Sequence, residues 1–132
     1  MDEQQPEYID VLIYSDDSTT RADVIGAVGR RAARGLPMIR WDETATAAAV
    51  QSKVAENDYA FLVLDGEAAK VGGMGLCKEL KQEVFNCPPI LVLIGRPQDT
   101  WLAHWSEADD ILAAPLNPRD VQEKIAEIQR KL

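Results

Sequence analysis

Aspartates directly follow two of the most apolar runs in this chain, and they are its residues best suited to chemistry. Asp65 follows the run 61–64, while Asp16 and Asp17 follow the run 11–14 after Ser15. Continuous apolar runs of this length are typical of buried strands in a parallel sheet. Ligands of such sheets bind outside the carboxyl ends of the strands. The carboxylates are therefore predicted to face one common site.

Carboxylates in such a site could hold a divalent cation or accept a phosphoryl group. Oxygen ligands suit Mg²⁺, which keeps several waters and needs only one or two carboxylates. A phosphoryl group moved onto an aspartate adds negative charge, which only a cation or fixed positive groups can stabilise. The last apolar run, 111–114, ends with Ala114 before Pro115 and brings no lysine. The sequence thus indicates a phosphoryl-accepting site whose chemistry is incomplete.

Composition limits the class of protein. The 132 residues are 46% hydrophobic and 27% charged, which predicts one soluble globular domain with a core of its own. The net charge of −8 argues against binding to nucleic acid or to an anionic membrane surface. No apolar stretch approaches the length of about 18 residues that a transmembrane helix needs. The acidic, polar start is unlike a signal peptide, so a cytoplasmic location is expected.

Cysteine and histidine give no sign of a disulfide, a metal site or a nucleophile. Cys77 and Cys87 are predicted at opposite ends of one helix, too far apart for a disulfide, as small apolar residues in or near the core. His104 is the single histidine and is expected on an exposed helix surface. The glycine-rich run 72–75 lacks both the Gly-Lys-Ser/Thr of a phosphate loop and the spacing of a dinucleotide fingerprint.

Strands and helices alternate along the chain. A short acidic tail, 1–8, is expected to precede a single domain, 9–132, and right-handed crossovers then give a doubly wound α/β fold, (βα)₅, with a parallel sheet. Strands are predicted at 9–14, 38–42, 61–65, 90–94 and 111–114. The first helix is predicted from a cap at Asp17 or Ser18 to a stop at Gly35 and Pro37, and the second at 46–56. The third is predicted after the loop 66–73 and the fourth from Pro97. The fifth is predicted to begin at Pro118, with Asn117 as its cap.

These residues and their spacing resemble the receiver domain of two-component response regulators, the CheY-like family with a flavodoxin-like fold. The resemblance covers about 9–132 and fits without a gap from 43 to 81. It implies the strand order 2-1-3-4-5, with Asp65 accepting a phosphoryl group from a histidine kinase. It also implies that Mg²⁺ binds Asp16, Asp65 and the backbone carbonyl of Glu67. Arg21 matches a basic residue that the first helix often carries.

Several positions depart from the family pattern. Ser15 stands where the first of two acidic residues is usual, and Asp17 is the neighbour that could compensate as a metal ligand. Ile94 replaces the Thr or Ser whose hydroxyl bonds the phosphoryl oxygen. Ala114 replaces the Lys whose ammonium pairs with the acyl phosphate, and Ile111 stands where an aromatic residue is usual.

Two basic residues are candidates to replace the missing lysine. Arg96 lies two residues beyond Ile94, and its guanidinium suits phosphate oxygens. The plain alternative is a solvated loop arginine. Lys70 is a weaker candidate. For Asp65 the corresponding alternative is a strand-end carboxylate that accepts hydrogen bonds from nearby loop amides.

Trp101 and Trp105 lie one turn apart on the fourth predicted helix. Partial burial in the core is one interpretation. The other is a partner surface that includes Ile111 and is formed by helix four, strand five and helix five, because tryptophan is enriched in interface hot spots. The resemblance adds a homodimer through the same face as a further alternative.

The function that these features favour is that of a stand-alone, atypical receiver in bacterial signal transduction. It is expected to act mainly as a protein-interaction module, with weak or absent phosphorylation, weak Mg²⁺ binding and no enzymatic turnover. The alternative is a working phospho-acceptor, in which a histidine kinase phosphorylates Asp65. In that case Mg²⁺ at Asp16 neutralises charge and Arg96 substitutes for lysine.

Overall fold

The computed structural model describes residues 7–68 and 71–132. They form a five-stranded parallel sheet in the order β2-β1-β3-β4-β5, which confirms the predicted doubly wound topology. The strands are β1 (Tyr8–Tyr14), β2 (Met38–Thr44), β3 (Phe61–Asp65), β4 (Ile90–Ile94) and β5 (Asp110–Ala113). The helices are α1 (Ser18–Val28), α2 (Ala47–Glu56), α3 (Gly73–Glu83), α4 (Thr100–Trp105) and α5 (Pro118–Lys131), with a 3₁₀ turn (Pro97–Asp99) before α4.

Helices cover both faces of the sheet, and each face has its own hydrophobic core. Helices α1 and α5 pack on one face against Val11, Ile13, Val63 and Leu91. Helices α2, α3 and α4 pack on the other face; their buried side chains and the strand residues beneath them, among them Leu12, Leu64 and Ile94, are called the α2–α3–α4 cluster below. Every residue of β3 and β4 is buried, which explains why these strands read as continuous apolar runs.

The predicted end of the first helix was wrong. The helix stops at Val28 rather than near Gly35, because Gly29 takes a positive φ of 69° and donates its N–H to the carbonyl of Ile25 at 2.7 Å. Glycine adopts this conformation without steric cost. Ala32 lies within the helix that the sequence predicted, and it is buried in the core from the loop that follows α1 instead.

The other boundaries differ from prediction by small amounts. β2 extends to Thr44, two residues further than predicted, and β5 begins at Asp110 and ends at Ala113. The caps at Asp17 and Asn117 accept backbone N–H groups as expected. Thr46, predicted as the first residue of the second helix, is instead its N-cap and accepts the N–H of Ala49. In the described part of the chain, no helix combines the length and the apolar character needed to cross a membrane.

The cysteines are both free, as predicted, but they do not lie on one helix. α3 ends at Glu83, so Cys87 falls in the loop before β4, half-buried against the α2–α3–α4 cluster. Cys77 is fully buried on α3, and this burial raises the pKa of its thiol to about 11. Both positions therefore act as small apolar residues of the core.

Candidate functional site

A cavity of about 260 Å³ opens at the carboxyl end of the sheet, and it is called the acidic pocket below. It brings together all the predicted carboxylates and two of the positions that depart from the family pattern, Ile94 and Ala114. Its lining comprises Asp16, Asp17, Thr20, Asp65, Glu67, Leu93, Ile94, Gly95, Ala114 and Leu116. One wall thus carries acidic side chains from the β1–α1 and β3–α3 loops, and the other is largely apolar.

Asp65 ends β3 at the base of this pocket and is only 7% exposed. Its Oδ2 accepts a hydrogen bond from the Ser15 hydroxyl at 2.8 Å, and its Oδ1 accepts one from the Glu67 N–H at 2.9 Å. Both carboxylate oxygens are therefore held by donors from the chain itself. The second bond is the loop-amide contact that the plain structural interpretation of Asp65 predicted.

Ser15 lies directly beneath the pocket and is completely buried. Its N–H donates to the carbonyl of Thr44 at 3.1 Å, and its own carbonyl accepts a hydrogen bond from Arg21 Nη1. Arg21 also pairs through Nε with Glu43 Oε1 at 3.0 Å. Arg21 therefore anchors the β1–α1 loop from outside and does not line the pocket.

Asp16 and Asp17 lie in the loop that follows Ser15, and both are exposed. Asp17 uses its Oδ1 to accept the N–H of Thr19 at 2.8 Å, which caps α1. The pKa of the neighbouring Tyr14 hydroxyl is raised, first by burial and then by the negative charges of Asp16 and Asp65. Two carboxylates thus create a negative field at the end of β1.

Close backbone approach fixes the carboxyl end of β3 against its neighbours. A Cβ on Gly73 would lie 2.6 Å from the carbonyl oxygen of Asp65, and a Cβ on Gly66 would lie 2.6 Å from that of Leu93. Neither position can carry a side chain unless the backbone shifts. The Glu67 side chain passes over Gly95, where a Cβ would meet Oε1 at 2.8 Å.

The two positions where the resemblance expects a hydroxyl and a cation differ in their surroundings. Ile94 is 2% exposed: it lines the pocket beside Leu93, and its side chain also packs in the α2–α3–α4 cluster. Ala114 is half-buried and lines the pocket. Among residues 7–68 and 71–132, no lysine or arginine lines the pocket.

Arg96, the proposed substitute for lysine, is directed elsewhere. Its Nη2 and Nε donate to the carboxylate of Asp99 at 2.9 and 3.3 Å, and its side chain is largely exposed. It does not line the acidic pocket. Lys70, the second candidate, lies outside the described residues.

Metal binding at this site depends on few ligands. Within the described ranges, no group of three His, Cys, Asp or Glu side chains lies close enough to hold a metal ion. Asp16 and Asp65 nevertheless line one pocket, and Mg²⁺ requires only one or two carboxylates when it keeps its waters. The donor set therefore fits Mg²⁺ and lacks the fuller ligand set of a tight site.

The two tryptophans of α4 project from the surface: Trp101 is 67% exposed and Trp105 is 53% exposed. Lys78 of α3 holds Trp105 in place, because its ammonium lies 4.8 Å from the ring centroid and donates to the Trp105 carbonyl. Ile111, predicted on the same surface, is instead half-buried and packs against the α2–α3–α4 cluster. Of the three residues predicted on this surface, only Trp101 and Trp105 are exposed, and they form what is called the exposed aromatic surface below.

Sequence reasoning missed several residues of the pocket. Leu93 lies beside Asp65 in the register of β3 and β4, so the register alone could have identified it. Thr20 comes from the first turn of α1, three residues beyond the end of the acidic run. Leu116 follows β5 and carried no signal that distinguishes it from a core residue.

Comparison with known proteins identifies the class. No protein-family model matches the chain. An uncharacterized response regulatory protein of Mycobacterium tuberculosis, present in two strains, is 45% identical over 108 residues, which cover 82% of this chain and 81% of that protein. The chain therefore belongs to the response regulators.

Solved structures agree with this assignment. A two-component response regulator from Clostridium difficile has 26% identity and a TM-score of 0.75, covering 93% of this chain and 97% of that one. The receiver domain of the Francisella response regulator 1452 shares the fold, with 18% identity, a TM-score of 0.76, and coverage of 93% and 98%.

The chain is accordingly a response regulator receiver domain of two-component signalling. Receivers of this class interact with protein partners such as kinases, typically bind Mg²⁺ at the phosphorylation site and are generally not classical enzymes.

Proposed function

We propose that this receiver is atypical and acts mainly as a protein-interaction module in bacterial signalling, with weak or absent phosphorylation of Asp65. The observation that carries the proposal is the lining of the acidic pocket. It contains four carboxylates, from Asp16, Asp17, Asp65 and Glu67, and no lysine or arginine among the described residues. The pocket thus concentrates the same sign of charge that an incoming phosphoryl group would bring.

Electrostatics make phosphorylation of Asp65 unfavourable here. A phosphoryl group brings roughly one to two further negative charges and several strong acceptor oxygens. Ala114 offers them no ammonium, and a hydrogen bond to a charged group is worth about 1.5–3 kcal/mol. Since each 1.36 kcal/mol changes a rate about tenfold, the missing cation slows transfer roughly ten- to a hundredfold.

Transmission of a signal from Asp65 is disfavoured as well. Ile94 has no hydroxyl, and its side chain is held in the α2–α3–α4 cluster. No hydroxyl at this position would therefore draw the loop between β4 and α4 toward a phosphoryl group. A phosphorylated site would change the α4 surface little.

Mg²⁺, if bound, would be held by the carboxylates of Asp16 and Asp65 and by the backbone carbonyl of Glu67. Asp17 is the less suitable ligand, because its Oδ1 already caps α1. The cation would supply positive charge beside Asp65. The same chain residues would orient the carboxylate with or without it, because Ser15 and Glu67 already donate to both of its oxygens.

Partner binding is assigned to the exposed aromatic surface of α4. Trp101 and Trp105 offer apolar area of the kind that interface hot spots use, and Lys78 fixes the orientation of one ring. The partner would be a protein, such as a histidine kinase or a second copy of this chain through α4, β5 and α5.

The second candidate function is a working phospho-acceptor. It is favoured by the position of Asp65 at the base of an open cavity together with Asp16. This function would require Arg96 to leave Asp99 and turn its guanidinium toward the pocket. Asp65 would then accept the phosphoryl group, and Mg²⁺ would offset the added charge.

The two functions are separated by NMR spectra recorded with Mg²⁺ and then beryllofluoride, a mimic of an acyl phosphate. The indole N–H signals of Trp101 and Trp105 report on the α4 surface. Trp41 serves as an internal control, because its indole donates to the Gly29 carbonyl on the α1 side of the sheet. We expect shifts confined to the neighbourhood of Asp65, or none.

Shifts that spread to Trp101, Trp105 and α5, and that disappear in Asp65→Asn, would instead establish the phospho-acceptor. Once a partner is in hand, Asp65→Asn should leave its affinity unchanged, whereas Trp101→Ala should weaken it. Loss of binding in a folded Asp65→Asn protein would overturn the passive module.

Ala114→Lys tests the charge argument directly. The side chain at this position lines the pocket, so a lysine can reach the acidic wall without replacing a core residue. We expect the rate of Asp65 phosphorylation by a small phosphodonor to rise about ten- to a hundredfold. Ala108→Lys, on the turn before β5 and away from the pocket lining, is the matched control and should leave the rate unchanged.

A further inference from the structure

We propose that the Ser15 hydroxyl stabilises the negative charge of the Asp65 carboxylate, so that the resting site does not depend on a metal ion. The inference deepens the proposed function and rests on it. Ser15 is a positioning residue here, since it would act on ligands only through Asp65. Its hydroxyl would lower the affinity of the pocket for Mg²⁺ and thereby contribute to weak phosphorylation.

The direction of the Ser15 hydroxyl follows from its two hydrogen bonds. The N–H of Asp17 donates to Ser15 Oγ at 3.0 Å, and Oγ lies 2.8 Å from Asp65 Oδ2. A backbone N–H can only donate, and an ionised carboxylate can only accept. The serine proton therefore lies on the line to Oδ2, in a charge-assisted hydrogen bond.

The hydroxyl is also fixed in space. Ser15 is completely buried, its N–H is bonded to β2 through Thr44, and its carbonyl is bonded to Arg21. Arg21 is itself held by Glu43. The serine therefore cannot turn away from Asp65 as a mobile loop residue could, and its hydrogen bond is present whenever the β1–α1 loop is folded.

Asp65 is held from two sides as a result. Ser15 donates to Oδ2 from the β1 side, and Glu67 donates to Oδ1 from the β3–α3 loop. A metal ion that approaches Oδ2 meets an oxygen whose negative charge the serine proton already offsets in part. An aspartate at position 15 would reverse this, because two adjacent buried carboxylates repel each other until a cation joins them.

Residue 15 would thus decide whether the pocket requires a cation. With serine, a neutral donor supplies the stabilisation that a metal would otherwise give. With aspartate, the two carboxylates repel each other, so the protein gains more stability from a bound cation. The two cases differ at one side chain, so the effect can be measured by a single replacement.

The experiment compares the wild type with Ser15→Ala and Ser15→Asp, measuring the Mg²⁺ dissociation constant by NMR titration and the thermal midpoint in EDTA and in Mg²⁺. Ser106→Ala is the matched control. Ser106 is also a fully buried serine and directly follows α4, but its hydroxyl donates to the Ala103 carbonyl within α4. This control should lower the midpoint equally with and without Mg²⁺.

We expect Ser15→Ala to bind Mg²⁺ about ten- to a hundredfold more tightly than the wild type, since no serine proton then offsets the charge of Oδ2. Ser15→Asp should have a low midpoint in EDTA that Mg²⁺ restores. Mg²⁺ affinities within twofold of each other in wild type and Ser15→Ala would overturn the inference. If Ser15→Ala does not fold, Ser15→Asp decides, because a midpoint indifferent to Mg²⁺ contradicts it equally.

Failure of this inference differs from failure of the proposed function. The proposed function fails when beryllofluoride shifts Trp101 and Trp105 in the wild-type protein. The Ser15 inference fails when Mg²⁺ affinity does not depend on residue 15. Either result can occur without the other, because the first reports on transmission to α4 and the second on how Ser15 affects the charge of one oxygen of Asp65.

Discussion

The two ends of the parallel sheet balance negative charge in different ways. At the amino end of β5, Asp109 lies 2.6 Å from Lys81, and Asp110 lies 3.0 Å from Lys131 and 3.4 Å from Lys124. At the carboxyl end of β3, the carboxylate of Asp65 accepts hydrogen bonds from neutral donors, and no lysine or arginine from the described ranges lines the acidic pocket.

This difference indicates what each end does for the protein. Ion pairs at the amino end connect α3, β5 and α5 and leave their charges mutually neutralised. The carboxyl end keeps a local excess of negative charge, fixed by close packing and hydrogen bonds. The amino end therefore contributes stability through ion pairs, and the carboxyl end keeps a negative potential that would attract a cation.

Replacing Gly73 tests the close packing at the carboxyl end of β3, and it should have the largest effect on stability of the changes considered. A Cβ at Gly73 would lie 2.6 Å from the Asp65 carbonyl oxygen, so Gly73→Ala forces the start of α3 away from β3. We expect a loss of about 2–3 kcal/mol in the free energy of unfolding, measured by urea denaturation, because overpacking costs of this size are typical.

Gly75→Ala is the matched control on the same helix. Its Cβ would meet nothing within 4 Å, so the replacement should stabilise α3 by up to about 1 kcal/mol through helix propensity. Equal effects at Gly73 and Gly75 would show that close packing does not hold this end of β3.

Asp110 tests the ion pairs of the amino end. Its side chain is 14% exposed, and Asp110→Ala leaves Lys124 and Lys131 without this partner. We expect a loss of about 1–2 kcal/mol at low salt, smaller than for a fully buried pair, because both lysines retain access to water and to Glu127.

The stability lost in Asp110→Ala should be smaller in 1 M salt, because the Debye length at that ionic strength is only ~3 Å. Glu123→Ala removes an exposed pair with Arg119 and should change stability little at either salt concentration. A salt-independent cost for Asp110→Ala would mean that packing rather than charge explains its contribution.

The smallest expected effect is the contribution of Tyr59, just before β3, to the pH dependence of stability at alkaline pH. Burial raises the pKa of its hydroxyl, and the hydrogen bond to Asp42 at 2.5 Å raises it further. The folded state therefore keeps its proton longer than the unfolded state, whose tyrosines titrate near about 10. The stability from this group is present below that pH and is lost as pH rises through the folded pKa.

Asp42→Asn should lower the pKa of Tyr59, so that tyrosinate absorbance appears at lower pH. Tyr59→Phe assigns the signal, because the replacement removes that titration and leaves the ring in place. An unchanged titration in Asp42→Asn would show that burial alone shifts the pKa of Tyr59.

The sequence was enough to predict the strands of the sheet and the position of the acidic residues at its carboxyl end. Both predictions follow from the apolar runs and from the polar residues that terminate them. Strand order required the family resemblance. The end of α1 was missed because the amphipathic stripe continues to Ala32, and only the backbone conformation of Gly29 interrupts the helix. A glycine in a helical pattern does not reveal the sign of its φ.

Hydrogen-bond partners at the site lay beyond sequence reasoning. Ser15 counted as a departure from the family pattern, yet it donates directly to Asp65. The partner of Arg96 is Asp99, three residues later, where local pairing competes with any reach toward the pocket. Pair geometry of this kind depends on the loop conformation, which residue types and spacing do not fix.

The burial of Ile94 makes two changes of this site unequal in their cost to folding over generations. Ala114 is half-buried at the cavity wall, so a lysine there displaces no core side chain. Ile94 lines the same cavity but also packs in the α2–α3–α4 cluster, so threonine there would lose apolar packing and bring a polar group next to the core. A lineage can therefore regain a cation at a lower cost to stability than it can regain the hydroxyl.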